Sequence, residues 1–256
     1  MRAATGKKLS PPGALRLAME WRAPVEAAAS LTLWPWLRSA ARGDGHSVLV
    51  LPGLAAGDGS TRLLRSFLHA QGWDAHAWRQ GLNLGPRPGV LETSLDHVQR
   101  LHAETGRRVS LVGWSLGGVY ARELAKRLPE AVRQVVTLGS PVTGHVHASN
   151  ARRLYEFVSG PRAYAPELMA RLDEPVPVPC TSIYSRTDGI VAWQCSIQQP
   201  GGRTENIEVT ASHVGMGLNP AAWYAVADRL AQGEGRWKPF HRRGWREWVF
   251  PDPQRA

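Results

Sequence analysis

Residues Gly113 to Gly118 read GWSLGG, placing Ser115 between glycines two residues away on either side. A serine hydroxyl becomes an effective nucleophile when a neighbouring base takes its proton and an acid orients that base. The glycine spacing suits a sharp turn that presents such a hydroxyl. Composition alone, with 26 Gly in 256 residues, produces Gly-x-Ser-x-Gly in roughly one such chain in six. The setting therefore decides, because a nucleophile elbow needs a strand before the serine and a helix after it.

The flanking residues supply both. RRVSLVGW reads as a buried strand, and SLGGVYARELAKRLPE reads as a helix that ends near Pro129. Gly113 and Gly117 remove the Cβ atoms that would collide across a tight turn. The N–H groups opening the helix favour negative charge developing beside Ser115. SVLVLPG, WDAHAW, VRQVVTLGSP, CTSIYS and NIEVTAS read as further strands. DGSTRLLRSFLHAQG, LETSLDHVQRLHAETG and PAAWYAVADRLAQG read as helices, with apolar residues three and four apart and a closing glycine. Short apolar strands alternating with helices predict an α/β fold, a mostly parallel central sheet with helices on both faces.

The pieces VLVLPGL, GWSLGG, TLGSP, YSRTDGIV and SHVGMGLNP together resemble the α/β-hydrolase superfamily over about Ser47 to Gln232. The likeness is to bacterial esterase- and lipase-like members. In that fold the triad runs in the order serine, acid, histidine, so the partners of Ser115 follow it in the chain. His145, His147, His213 and His241 remain. His213 sits in a Gly-rich loop between the last strand and the last helix and is the best base. His145 and His147 have the spacing of a metal pair but no third ligand motif, and read as pocket-lining or solvated. His241 lies in the basic tail. Asp188 directly follows the CTSIYS strand, where a carboxylate would hold the imidazole tautomer and stabilise the imidazolium. Asp173 and Glu174 are alternative acids in a Pro-rich segment, and Asp-Gly at 188–189 is also a turn signal. One oxyanion donor should be the Leu116 amide, the other an amide in LPGLAAGDGS after the first strand. The resemblance gives that second role to Leu54. Pro52 stands where many lipases have a histidine, which leaves the backbone donor in place.

The remaining sequence bounds the substrate and setting. About 35 residues separate GSPVTG from PCTSIYS, a position that carries a cap in this fold; the cap is expected at about 144–178, as two short helices. With Trp114, they would offer Leu154, Phe157 and Met169 to a hydrophobic acyl chain. The expected activity is serine-dependent hydrolysis of a small-molecule carboxylic ester, with no cofactor and no metal. Thioester, amide or acyl-transfer chemistry would use the same triad, and an idle triad would leave a binding module.

The organisation reads as a basic, helical leader (1–42), a hydrolase domain (43–232) and a basic, Trp-rich tail (233–256). Lys and Arg outnumber Asp and Glu by 31 to 21, giving a net charge of +10. No nucleic-acid motif accompanies that charge, so no nucleic acid partner is expected. Arginines beside Trp and Phe in the tail, with Lys7, Lys8, Arg16 and Arg22 ahead of LTLWPWL in the leader, suit reversible contact with an anionic membrane; packing of the tail back on the domain as a clasp is the other reading. Arg16 and Glu20 interrupt any secretory apolar region, and AAASLTLWPWL is too short to span a bilayer. The expected location is cytoplasmic, with the membrane contact peripheral. Cys180 and Cys195 are expected as reduced thiols.

Overall fold

A computed structural model describes residues 9–143, 171–199 and 201–253. Six parallel strands form one sheet in the order β2-β1-β3-β4-β5-β6. They are β1 Ser47–Leu51, β2 Asp74–Ala77, β3 Val109–Trp114, β4 Val132–Leu138, β5 Cys180–Tyr184 and β6 Thr204–Glu208. The four inner strands are nearly continuous runs of buried residues, as a sheet covered on both faces requires. Their side chains alternate between two cores. Val48, Val50 and Val112 enter one; Leu49, Leu51, Val109 and Leu111 enter the other. The outer strands carry Asp74, His76, Thr204 and Glu205, polar residues that discourage pairing with another sheet edge.

Helices cover both faces. The first core includes residues of α4 (Arg62–Gln71) and α7 (Pro220–Leu230); the second includes residues of α5 (Val90–Thr105) and α6 (Leu116–Arg127). Trp223 of α7 is fully buried and stacks on Phe67 of α4 at 5.4 Å. Local chemistry sets the helix ends. Gly72 and Gly106 close α4 and α5 in the left-handed conformation. Asn219 caps α7 by accepting from the amides of Ala221 and Ala222, with Pro220 beginning the helix.

The last strand differs from the sequence expectation. Pairing with β5 runs from Thr204 to Glu208, so most of NIEVTAS lies beyond it. There the backbone is held by side chains: Ser185 Oγ accepts from the Ala211 amide, Thr187 Oγ1 donates to the Ala211 carbonyl, and Asn219 Nδ2 donates to the Thr210 carbonyl. These bonds lead the chain out of the sheet towards His213.

Both ends of the chain pack against the sheet-and-helix body. In the leader, α1 (Ala14–Ala18) and a 3₁₀ turn (Met19–Arg22) precede α2 (Ala23–Thr32) and α3 (Trp34–Leu37). Leu37 and Ala40 are buried, and Gln71 Nε2 donates to both their carbonyls. Trp34 meets Phe67 and Trp223 edge-on. In the tail, α8 (Arg246–Val249) brings Arg246 to Asp228 (3.0 Å) and to the Tyr224 hydroxyl (3.0 Å). Phe250 is fully buried against Phe240 and Tyr224. Trp36 from the leader stacks on Tyr224, and Trp245 from the tail meets both rings edge-on, so the two ends join over α7. Most of the tail's rings thus face protein, while Trp248 stays 91% exposed. No described helix is long and apolar enough to cross a membrane.

Burial of Phe250 makes the clasp a stability element. Phe250→Ala should lower unfolding free energy by about 3–5 kcal/mol, read as an earlier midpoint in urea denaturation. A loss below about 1 kcal/mol would mean that the tail detaches without consequence for the domain.

Candidate active site

Ser115 occupies the turn between β3 and α6 with φ 52° and ψ −120°. Side-chain-bearing residues seldom adopt such a backbone. Its amide is anchored to the Leu138 carbonyl of β4 (2.8 Å). The surrounding glycines are a packing requirement. A Cβ on Gly113 would lie 2.4 Å from the Gly117 carbonyl oxygen; one on Gly117 would lie 2.3 Å from the Leu51 carbonyl oxygen. One on Gly118 would meet Ser140 Oγ at 2.0 Å. Strand, turn and helix can close around Ser115 only because these three positions lack side chains.

Three separate loops converge on the serine. His213, beyond β6, sets Nε2 2.9 Å from Ser115 Oγ and Nδ1 2.7 Å from Asp188 Oδ2. Asp188, beyond β5, uses its other oxygen to accept from the amides of Ile190 (2.8 Å) and Val191 (2.7 Å). With Asp188 ionised, Nδ1 carries the imidazole proton and Nε2 turns its lone pair to the serine. Gly139 follows β4 at φ +57°; a Cβ there would sit 3.3 Å from both Asp188 Oδ2 and His213 Nδ1. Trp114 Nε1 donates to the His213 carbonyl (3.0 Å). Trp114, expected to line the substrate pocket, thus braces the loop of the base.

Asp188 and His213 are both buried. Burial disfavours the imidazolium, but the Asp188 charge, its hydrogen bond and the Glu20 charge outweigh it and raise the His213 pKa above the ordinary 6.5.

The turn after β1 lies against Ser115: a Cβ on Gly53 would be 3.3 Å from Ser115 Cβ. Leu54 follows directly. Neither its amide nor that of Leu116 has a hydrogen-bond partner among the described residues. Buried Asn83 holds this turn. Its side chain donates to the Pro52 carbonyl, its own carbonyl accepts from Ala55, and its amide donates to Ala56. Ala55 is thereby kept at φ 58°.

Other candidates fall elsewhere. Glu174 pairs with Arg171 (2.9 Å) and Lys126 (3.4 Å). Asp173 borders a cavity of about 600 Å³ shared with Arg122 and Val176, away from the triad residues. His241 is exposed in the tail. Leu154, Phe157 and Met169, the cap helices, and His145 and His147 lie outside the described residues. Among the described residues no cluster of three or more His, Cys, Asp or Glu could hold a metal ion. Cys180 and Cys195 are both buried and form no disulfide, and burial pushes the Cys195 thiol up to about 11. Sequence reading missed Asn83, Gly139 and Glu20, whose partners are distant in the chain. The nearest signal was Glu20 and Glu26, two carboxylates within an otherwise basic leader.

No protein-family model matches the chain, and no curated protein matches it in sequence. Solved structures do. Aspergillus fumigatus lipase B superposes with TM-score 0.59 at 20% identity, over 78% of this chain and 56% of that one. The chain therefore spans little more than half that lipase's length. The pyrethroid hydrolase PytH matches with TM-score 0.50 at 18% identity, over 72% of this chain and 96% of that one. An alpha/beta superfamily hydrolase from Oenococcus oeni matches with TM-score 0.50 at 16% identity, over 69% and 88% of the two chains. Sheet order, parallel pairing and these superpositions establish the α/β-hydrolase fold.

The electrostatics give a direct check. A histidine with a raised folded-state pKa contributes stability below its unfolded pKa, and the contribution fades as pH rises through the folded value. Asp188→Asn removes the anion and leaves the burial, so the His213 pKa should drop below 6.5, the ordinary value. Histidine NMR titration of the two proteins reads this shift. An unchanged pKa would show that Asp188 does not govern the imidazole.

Proposed function

We propose that the chain is a serine hydrolase that cleaves carboxylic esters through an acyl-enzyme. The observation that carries this reading is the unbroken run from Ser115 Oγ through the His213 ring to Asp188, at a strained elbow beside two amides without a partner among the described residues. His213 Nε2 would take the hydroxyl proton as Ser115 Oγ bonds to the ester carbonyl carbon. The carbonyl oxygen would gather negative charge facing the amides of Leu54 and Leu116, the latter at the N-terminus of α6. Collapse of this adduct breaks the carbon–oxygen bond, and the imidazolium returns its proton to the departing alcohol. Water, deprotonated by His213, then releases the acid and regenerates the serine. No step calls for a cofactor or metal.

The substrate reading rests on less. Leu54 is half-buried beside the nucleophile, and Val214, next to the base, is 39% exposed. Apolar groups there favour an ester with a hydrophobic part. Leu15, Trp21, Val25 and Leu31 are also exposed along the leader. They support peripheral membrane contact through the leader, which sedimentation with anionic and neutral vesicles at two salt concentrations tests.

Ser115→Ala should reduce turnover of p-nitrophenyl esters by about 10³-fold or more while the unfolding midpoint stays within a few degrees. A fluorophosphonate should label the native protein at Ser115 alone. An unlabelled native protein would point to a binding module. A panel graded in acyl length, with matched thioesters and amides, assigns the substrate class.

A further inference from the structure

The leader reaches the active site through one carboxylate. Glu20 Oε1 accepts from the amides of His213 (2.9 Å) and Gly189 (2.8 Å), and Oε2 accepts from the amide of Val214 (2.8 Å). One side chain thus joins the residue after the acid to the base and its successor, across more than 160 positions of sequence. Six residues further on, Glu26 Oε1 accepts from the Ser212 amide (2.7 Å). Arg22 lies between them and donates to Thr187 Oγ1 on the acid loop (3.1 Å).

The two loops are shaped to receive the leader. A Cβ on Gly189 would meet the Arg16 carbonyl oxygen at 2.2 Å, its carbon at 2.6 Å and Glu20 Oε1 at 2.9 Å. All three of these nearest atoms belong to the leader. A Cβ on Gly215 would meet Glu26 Oε2 at 2.2 Å. Neither glycine has a positive φ, so each is needed for close approach and not for its turn.

We propose that Glu20 is a positioning residue of the active site: its carboxylate ties the acid loop to the base loop and sets the orientation and charge balance of His213. The proposal rests on the serine-hydrolase reading. Three amides converging on one carboxylate fix both loop backbones, because charge-assisted bonds are shorter and stronger than neutral ones. The same negative charge, close to a buried imidazole, favours its protonated form. Among the described residues the charged groups facing His213 are Asp188 from the acid loop and Glu20 from the leader; Glu26, at the adjoining Ser212 amide, is paired with Arg22 (3.5 Å).

The decisive experiment measures fluorophosphonate labelling of Ser115 against pH in the full chain, with NMR titration of His213 alongside. In Glu20→Gln the labelling limb and the His213 pKa should both fall by about one unit, and the maximal labelling rate should drop roughly tenfold. Glu20→Asp keeps the charge and should restore the pKa more than the rate. Gly189→Ala keeps Glu20 in the chain but displaces the leader, and should reproduce the Glu20→Gln limb. A wild-type limb and rate in both Glu20→Gln and Gly189→Ala would overturn the proposal. So would a lowered melting temperature with slower labelling but an unmoved His213 pKa, which would make Glu20 a fold-holding residue only. Failure of the native protein to label at all would reject the hydrolase reading instead, and the NMR titration would still measure the influence of Glu20.

Discussion

The backbone of Ser115, held at a positive φ, is the constraint around which the molecule is arranged. A non-glycine residue in such a conformation costs about 1–3 kcal/mol and persists only where its surroundings leave no alternative. Here the surroundings are β1, Ser140 just beyond β4 and the first turn of α6, which between them exclude a single added carbon at positions 113, 117 and 118. Relaxing the turn would therefore require separating strands whose residues form both cores. The strain is sustained by the packing of the central sheet, and the hydroxyl is presented as a consequence.

The His213 ring must then be held at a fixed point beside Ser115, and a loop alone is poorly suited to that. His213 lies beyond the last strand, in a segment whose backbone has left the sheet. It is held from four directions: Asp188 on Nδ1, Ser115 on Nε2, Trp114 on its carbonyl and Glu20 on its amide. These contacts come from three parts of the chain: the leader, the turn between β3 and α6, and the loop after β5. A buried imidazole that gains a proton needs a nearby anion to stay solvated by protein, and Asp188 supplies it in hydrogen-bond contact. The amides of Ile190 and Val191 hold the second oxygen of that carboxylate and keep the first directed at the ring.

Much of this was legible in the sequence because it is local or periodic. Strand runs, helix periods and the Gly-x-Ser-x-Gly spacing each depend on neighbours within about ten residues. The order of serine, acid and histidine then selected Asp188 and His213 from the many carboxylates and histidines. What escaped depends on contacts between distant segments. Gly139 resembles any glycine after a strand until Asp188 and His213 are seen to occupy the space of its missing Cβ. Asn83 carries no local motif, and its side chain crosses 31 positions to hold the turn after β1. The end of β6 was misplaced because Val209 to Ser212 continue the pattern of a strand while the backbone of Thr210, Ala211 and Ser212 bonds to the side chains of Asn219, Ser185, Thr187 and Glu26.

The leader shows most clearly how composition and placement can diverge. In a chain of net charge +10, its arginines suggested an outward-facing basic surface. The residues that matter to the fold are instead its two carboxylates and its rings. Glu20 and Glu26 receive four backbone N–H groups from the loops of the acid and base, donors that would otherwise be costly to leave unpaired. Trp34 and Trp36 fix the far end of the same segment on α4 and α7. One segment is thus anchored in the core at one end and bonded to the loops of Asp188 and His213 at the other. Glycine at 189 and 215 leaves the room this segment fills, because a Cβ at either position would collide with Arg16 or Glu26.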